Sequence, residues 1–198
     1  MTSDSPRTAD FPIAPMFLAR WSPRAFSSEE IDVSELMSIM EAARWAPSSF
    51  NAQPWRFIYA RRDTPSWMPM LDLLTTRNRD WAKAAAALVA LTSKTTVLQP
   101  GSDVEGPSMT HILDAGTASG YMALQAYLMG WRAHGMAGFD RTRAAVVLNI
   151  PANHQVHAVY AIGRLGDPAS LPESLRVRET PNLRTPLSEI AFEGSFPT

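Results

Sequence analysis

Between Pro47 and Pro54 the chain places Ser48, Ser49, Asn51 and Gln53 within six positions, directly after an apolar run that ends Ala42-Ala43-Arg44-Trp45-Ala46 and directly before Trp55-Arg56-Phe57. Hydroxyl and amide side chains give and accept hydrogen bonds without carrying charge. Two flanking prolines restrict the backbone that carries them. Such a stretch builds a rigid binding corner, or a structural turn in which Ser and Asn cap backbone groups. Upstream, Arg20-Trp21-Ser22-Pro23-Arg24 gathers two guanidinium groups and a hydroxyl within five residues, a donor set suited to an anion.

Other reactive patterns are missing from the sequence. It contains no cysteine, so thiolate nucleophiles, iron–sulfur clusters and disulfides are excluded. There is no G-x-G-x-x-G fingerprint, no phosphate-binding P-loop and no G-x-S-x-G elbow. Of the four histidines, His154 and His157 are spaced i, i+3, but Asn153 and Gln155 beside them are weak ligands, and a loop preceding a strand accounts for them. His111 is placed only at the start of a helix, and His134 reads as a satisfied core or pocket histidine within a strand. No carboxylate pair stands out as an acid–base couple. Donors without a nucleophile or dyad suit a protein that binds and orients an organic cofactor while the cofactor carries the chemistry.

The 198 residues allow one domain with a sizeable core. With 45% hydrophobic and 19% charged residues the chain is globular, and a net charge of −1 gives no electrostatic reason to expect nucleic acid or an acidic membrane as partner. Residues 1–10 lack the apolar stretch of a signal peptide and the longest apolar run, near Ala84–Leu91, is too short to span a bilayer, so a cytoplasmic protein is expected.

The elements that must position these donors follow from periodicity. Residues 1–15 read as a proline-containing arm. Asp32 with Glu35 has the capping-box spacing, and Leu36, Ile39, Met40 and Ala43 continue a helix that must stop near Ala46, before Pro47. Trp55–Ala60 and Ala84–Thr92 read as strands, the second buried, with a helical stretch over Trp67–Leu74 between them. Residues 94–108, with Pro100, Gly101, Gly106 and Pro107, read as a loop or lid. His111–Met129 is the strongest helix, with Ile112, Ala115, Ser119, Met122, Ala123, Ala126 and Tyr127 on its apolar face and Gly130 as its C-cap. Its small residues, Ala115, Gly116, Ala118, Ser119 and Gly120, admit another backbone at close range. Trp131–Gly138 is a strand ending in a glycine turn, Arg141–Leu148 a helix, and Val156–Gly163 a strand. From Arg164 the chain reads as an extended arm with little core of its own. Helices and strands without a regular βαβ repeat indicate an α+β fold around one sheet.

These residues together resemble the nitroreductase family of FMN-dependent oxidoreductases, from Arg20 to about Ile190. The family's R-x-S-x-R/K stands as Arg20 to Arg24, its A-x-x-A-P-S-S-x-N-x-Q-P-W corner as Ala43 to Trp55, its small-residue helix as Asp114 to Gly130, its flavin-contacting turn as Gly135 to Phe139, and its R-x-P-L-x-E as Arg184 to Glu189. The resemblance implies a single three-layer α+β domain over residues 1–198, with a central mixed, mainly antiparallel sheet flanked by helices, and terminal arms at 1–15 and 165–198. It implies an FMN site in which Arg20 and Arg184 hold the phosphate, Trp21 and Ser22 lie beside it and Arg24 lies near the N1/O2 edge of the flavin. Pro47, Ser48, Ser49, Asn51 and Gln53 would form one wall, from the same or the neighbouring subunit. Asn78 would face the pyrimidine edge, and Gly135, Met136, Ala137 and Gly138 would lie near N5 and O4. Many relatives carry a proline and a glutamate in that last turn, where this chain has Gly135 and Ala137. No protein side chain is implied as catalytic. The implied reaction is ping-pong hydride transfer from NADH or NADPH through flavin N5 to a nitroaromatic, quinone or similar small-molecule acceptor, in a homodimer with FMN at the interface. Related flavoproteins instead dehalogenate, oxidise azolines or fragment flavin, and a protein that stores or senses FMN without turnover carries the same donors.

Overall fold

The computed structural model describes residues 7–99 and 101–197; the first six residues of the N-terminal arm and Pro100 of the expected lid lie outside it. Four strands form the central sheet in the order β1-β2-β6-β5: β1 Trp55–Arg61, β2 Ala87–Lys94, β5 Trp131–Met136 and β6 His154–Arg164. Every neighbouring pair among them is antiparallel. The expected mixed sheet is therefore purely antiparallel among the described residues.

Both faces of the sheet are covered, and the side-chain alternation of β2 shows how. Ala87, Val89 and Leu91 join one core, whereas Leu88 and Ala90 join the other, the period-2 pattern of a strand buried on both sides. The first core is closed by α2 (Val33–Arg44), through Leu36, Ile39 and Ala43, and by α5 (His111–Leu128), through Ala115, Ala118, Met122 and Ala126. The second is closed by α3 (Trp67–Leu71), α4 (Thr76–Ala82) and α6 (Arg141–Val147), through Trp67, Met70, Trp81 and Ala144, with Phe26, Leu171 and Leu175 from the chain ends. Burial of each large apolar side chain contributes about 1.5–3 kcal/mol, so these two layers hold the sheet that carries the site.

α2 begins where the capping box places it, with the Asp32 amide donating to the Glu35 carboxylate at 3.4 Å, and ends at Arg44, with Trp45 as its C-cap. Several elements differ from expectation. α5 buries His111, Asp114, Ala115, Ala118, Met122 and Ala126, while Ile112 and Leu113 are exposed. The inward face is thus turned toward the small residues, because only these fit the close approach to α2 and the sheet. Residues expected as a lid loop form a hairpin, β3 (Thr96–Leu98) with β4 (Glu105–Pro107), tied by a Lys94–Glu105 ion pair. α4 interrupts a stretch with no apolar periodicity. His154 and His157 belong to β6, not to a preceding loop. The C-terminal arm contains the short helix α7 (Glu173–Arg176) and gives Leu171, Leu175 and Glu179 to the interior. At the other end of the chain, α1 (Pro15–Ala19) is a single turn leading directly into Arg20.

Candidate functional site

Arg20 is the C-cap of α1, and its extended backbone starts the irregular run 20–26. That run is pinned at Phe26, which bridges to Leu165, with Ser27 N–H donating to Arg164 O at 3.0 Å and Gly166 N–H to Ala25 O at 2.9 Å. A Cβ on Gly166 would lie 2.4 Å from the Phe26 carbonyl carbon, so the two backbones meet where only glycine fits. Glu179, buried in the C-terminal arm, adds a second tether: its Oε1 accepts from the amides of Arg24 at 2.5 Å and Ala25 at 2.8 Å, and its Oε2 lies 3.8 Å from the Arg24 guanidinium.

The result is a cavity of about 190 Å³ lined by Arg7, Arg20, Trp21, Ser22, Arg24, His134, Arg178, Thr180, Asn182 and Arg184. Five of the ten are arginines. Among the described residues, no carboxylate forms an ion pair with Arg7, Arg20, Arg178 or Arg184. Desolvation, then repulsion from Arg184, pushes the Arg20 pKa down; the same causes and Arg20 itself lower that of Arg7. Arg24 is likewise lowered by burial, opposed by Glu179 and assisted by Arg178 and Arg77. Clustered guanidiniums that lower one another's pKa are relieved by a bound anion. His134 is half-buried in the wall. It stacks on Trp81 with ring centroids 4.6 Å apart, and Nδ1 lies 2.9 Å from the Pro23 carbonyl, which assigns the proton to that nitrogen. Burial lowers its pKa, so it is neutral at pH 7.

Arg20 and Ser22 also line a second, open groove of about 420 Å³, which continues along Gly116, Ser119, Gly120 and Ala123 of α5 to Gly135 and Tyr160. Gly116 and Gly120 have nothing within 4 Å of an added Cβ. At Gly135 a Cβ would meet the Tyr160 ring at 2.8 Å, so the glycine leaves that ring its place in the groove. At the end of β5 and just after it, Gly135 and Ala137 are exposed, whereas the Met136 side chain is buried in the core and can offer the groove only its backbone. Asn78 and Gly138 do come together: the Asn78 amide donates to the Gly138 carbonyl at 3.0 Å, as does the Thr75 N–H at 3.1 Å.

The corner is a strained, exposed turn. Phe50, Asn51 and Gln53 have φ of 51°, 53° and 46°, left-handed values that side chains seldom adopt. Ser48 Oγ accepts from the Gln53 amide at 2.9 Å, and the Ser49 amide donates to the buried Asp114 carboxylate of α5 at 3.3 Å. Pro47 precedes them, exposed. None of the corner residues lines the arginine cavity or the groove. The sheet order explains this: the corner feeds β1 at one edge and the 135–138 turn leaves β5 at the other, three strand spacings or about 14 Å away. Both open at the same end, since Trp55 pairs through β2 with the start of β6 and Met136 pairs with Val159.

Sequence reasoning brought out Arg20, Trp21, Ser22, Arg24 and Arg184 of this cavity. It missed Arg7, Arg178, Thr180, Asn182 and the tether Glu179, and left His134 without a role. It also missed a partly buried cluster on β2, β6 and α5. His157, the extra residue of a β-bulge opposite Leu91–Thr92, places Nε2 2.6 Å from Ser93 Oγ, which lies 2.7 Å from His111 Nδ1. The described residues contain no cluster of metal-ligating side chains, and no helix long and apolar enough to cross a membrane.

Known proteins share this arrangement. The nitroreductase family pattern matches residues 18–65, the segment from α1 through the corner to the end of β1. A solved structure described as an oxidoreductase containing FMN is 43% identical, with a TM-score of 0.94 over 100% of this chain and 99% of that one. A nitroreductase family protein of Clostridium difficile 630 shares the fold at 19% identity, with a TM-score of 0.71 over 94% and 100% of the two chains. An NADH dehydrogenase of Thermus thermophilus is 28% identical over 172 residues, 74% of this chain and 83% of its own length.

Proposed function

The chain belongs to the nitroreductase family and is an oxidoreductase, and from that premise we propose that it holds FMN and reduces nitroaromatic, quinone or similar acceptors with NADH or NADPH. The observation that carries the proposal is the arginine cavity, in which Arg7, Arg20, Arg178 and Arg184 have no ion-pair partner among the described residues and suit the phosphate of FMN, an ester bearing about two negative charges. Arg20 and Arg184 would hold that phosphate, with Ser22 adding a hydroxyl. The groove leading from Arg20 and Ser22 to Gly135 would take the rest of the cofactor, its wall left bare of side chains at Gly116 and Gly120. Arg24 supplies a fixed positive charge that favours negative charge on a reduced cofactor. Asn78 anchors the 135–138 turn, leaving the exposed backbone of Gly135 and Ala137 to face the ligand.

Bound FMN would supply the redox chemistry, hydride transfer at its N5 between NAD(P)H and the acceptor. No side chain needs to be a nucleophile. The work of the chain is to bind, orient and exclude water. The distance between the corner and the 135–138 turn supports a homodimer in which Pro47, Ser48, Ser49, Asn51 and Gln53 complete the site of the other subunit. The exposed small-residue face of α5, together with exposed Ile112, Leu113 and Tyr121, supports a contact there.

Titrating flavin-free protein with FMN and with riboflavin tests the reading. FMN is expected to bind with quenched fluorescence, and Arg20→Ala is expected to weaken FMN about a hundredfold through loss of a charge-assisted contact while leaving riboflavin unchanged. Reduction of the bound flavin by NADH or NADPH, and reoxidation by a quinone, complete the test. Failure to bind FMN defeats the proposal.

A further inference from the structure

Arg7 lies outside every motif, yet it joins the two ends of the chain at the arginine cavity. Its Nε donates to the Asn182 carbonyl at 2.7 Å, and its Nη1 to the carbonyls of Leu18 at 3.0 Å and Arg20 at 2.8 Å. These bonds leave the Nη2 protons without a partner among the described residues, on a side chain that lines the cavity with Arg20 and Arg184. One further link joins the arms, Leu187 N–H to the Asp10 carboxylate at 2.8 Å. Apolar packing between them is thin: they enclose a cavity of about 430 Å³, and Phe11, Ile13, Phe17, Leu183 and Ile190 are half or more exposed. A segment with few buried contacts has low local stability. Here its main polar clasp is a cation facing two other cations.

We propose that Arg7 is a further anion-holding residue of this site, and that a phosphate group in the cavity latches the N-terminal arm to the C-terminal arm. The inference rests on the reading of this cavity as the seat of the FMN phosphate. Docking of the arms gathers Arg7, Arg20 and Arg184 at a cost in mutual repulsion, and the anion removes that cost. Phosphate must therefore favour the docked arms, and by reciprocity docked arms must tighten phosphate. The chemistry recognised is a phosphate monoester or free phosphate, and riboflavin, which lacks the phosphate, serves as the control.

Hydrogen exchange is to be followed in segments 8–19 and 180–190 of the flavin-free full chain, alone and with inorganic phosphate, FMN or riboflavin. Both segments are expected to exchange several-fold more slowly with phosphate or FMN and unchanged with riboflavin, while β2 and β6 stay constant. Arg7→Ala is expected to abolish the anion-dependent protection and to weaken FMN about tenfold, with riboflavin unaffected. Arg7→Lys keeps the charge but not the fork that spans three carbonyls, and is expected to recover affinity more than protection. Exchange in the arms that ignores phosphate, or anion-dependent protection that survives in Arg7→Ala, overturns the latch. Phosphate protection without FMN binding keeps the latch and defeats the proposed cofactor; FMN binding without arm protection does the reverse.

Discussion

Glu179 offers the sharpest test of how the site is held. Its carboxylate is, among the described residues, the acidic group that pairs with an arginine of the cavity, and its Oε1 satisfies two amides of the run that carries Arg24. Glu179→Ala leaves both amides without that acceptor. At about 1–3 kcal/mol for each buried group left unsatisfied, the loss is roughly 2–6 kcal/mol, with the lower end reached if water enters the vacated space. Glu179→Gln keeps an oxygen for the two amides, removes the charge and puts an amide NH2 in place of the Oε2 that faces the Arg24 guanidinium. Its cost is expected to be about 1–2 kcal/mol, the margin between a charge-assisted and a neutral hydrogen bond. Removing a negative charge from a cationic cavity also favours an incoming anion. Glu179→Gln is therefore expected to unfold more easily yet to bind phosphate at least as tightly as the parent. Urea unfolding of the flavin-free proteins, followed by tryptophan fluorescence, gives the first quantity, and phosphate titration calorimetry the second. An Ala variant within about 1 kcal/mol of the parent, or a Gln variant that loses phosphate affinity along with stability, would refute the reasoning.

Other expectations concern neighbouring features. Gly166→Ala forces a methyl against the Phe26 backbone at 2.4 Å; overpacking and two disturbed hydrogen bonds are expected to cost about 2–4 kcal/mol in the same unfolding assay. The pKa of His157 is lowered by burial first, then by His111 and Arg141. Below about pH 6.5 the unfolded chain therefore takes up a proton there that the folded chain declines, so this contribution to stability is present above that pH and is lost as the pH falls. His157→Gln is expected to flatten the decline in unfolding free energy between pH 7 and pH 5. Gly120→Leu places a bulky side chain where nothing lies within 4 Å in the single chain; the chain is expected to fold while sedimentation shows the proposed dimer dissociating at least about tenfold more easily.

Much of this was legible in the sequence, for reasons that can be assigned. The capping pair Asp32 and Glu35, the stop before Pro47, the apolar run of β2 and the length of α5 are local signals. Local physics fixes them. Arg20, Ser22, Arg24 and Arg184 could be grouped because their spacing matches a family pattern. α4 was invisible because seven residues, Thr-Arg-Asn-Arg-Asp-Trp-Ala, have no apolar stripe, and its place is set by Trp81 reaching the core. The β3–β4 hairpin hid behind Gly and Pro. The inward face of α5 was misjudged at Ile112 because periodicity rewards large apolar residues, whereas the tight packing against α2 selects alanines. Arg7 and Asn182 meet across 175 positions, and Ser93, His111 and His157 across a bulge. Contacts of that kind carry no trace in spacing.

The order of strands in the sheet has a genetic consequence. The corner and the arginine cavity sit on opposite edges of one chain, so in the proposed dimer a lesion in each falls in a different half of every site. A chain damaged at Ser48–Asn51 and another damaged at Arg20 are each inactive alone. Coexpressed, they form a mixed dimer in which one site draws both of its halves from the damaged copies and the other draws both from the intact ones. With random pairing, about a quarter of all sites are whole. Two null alleles would complement each other, and recessive loss in one region need not predict the behaviour of the other.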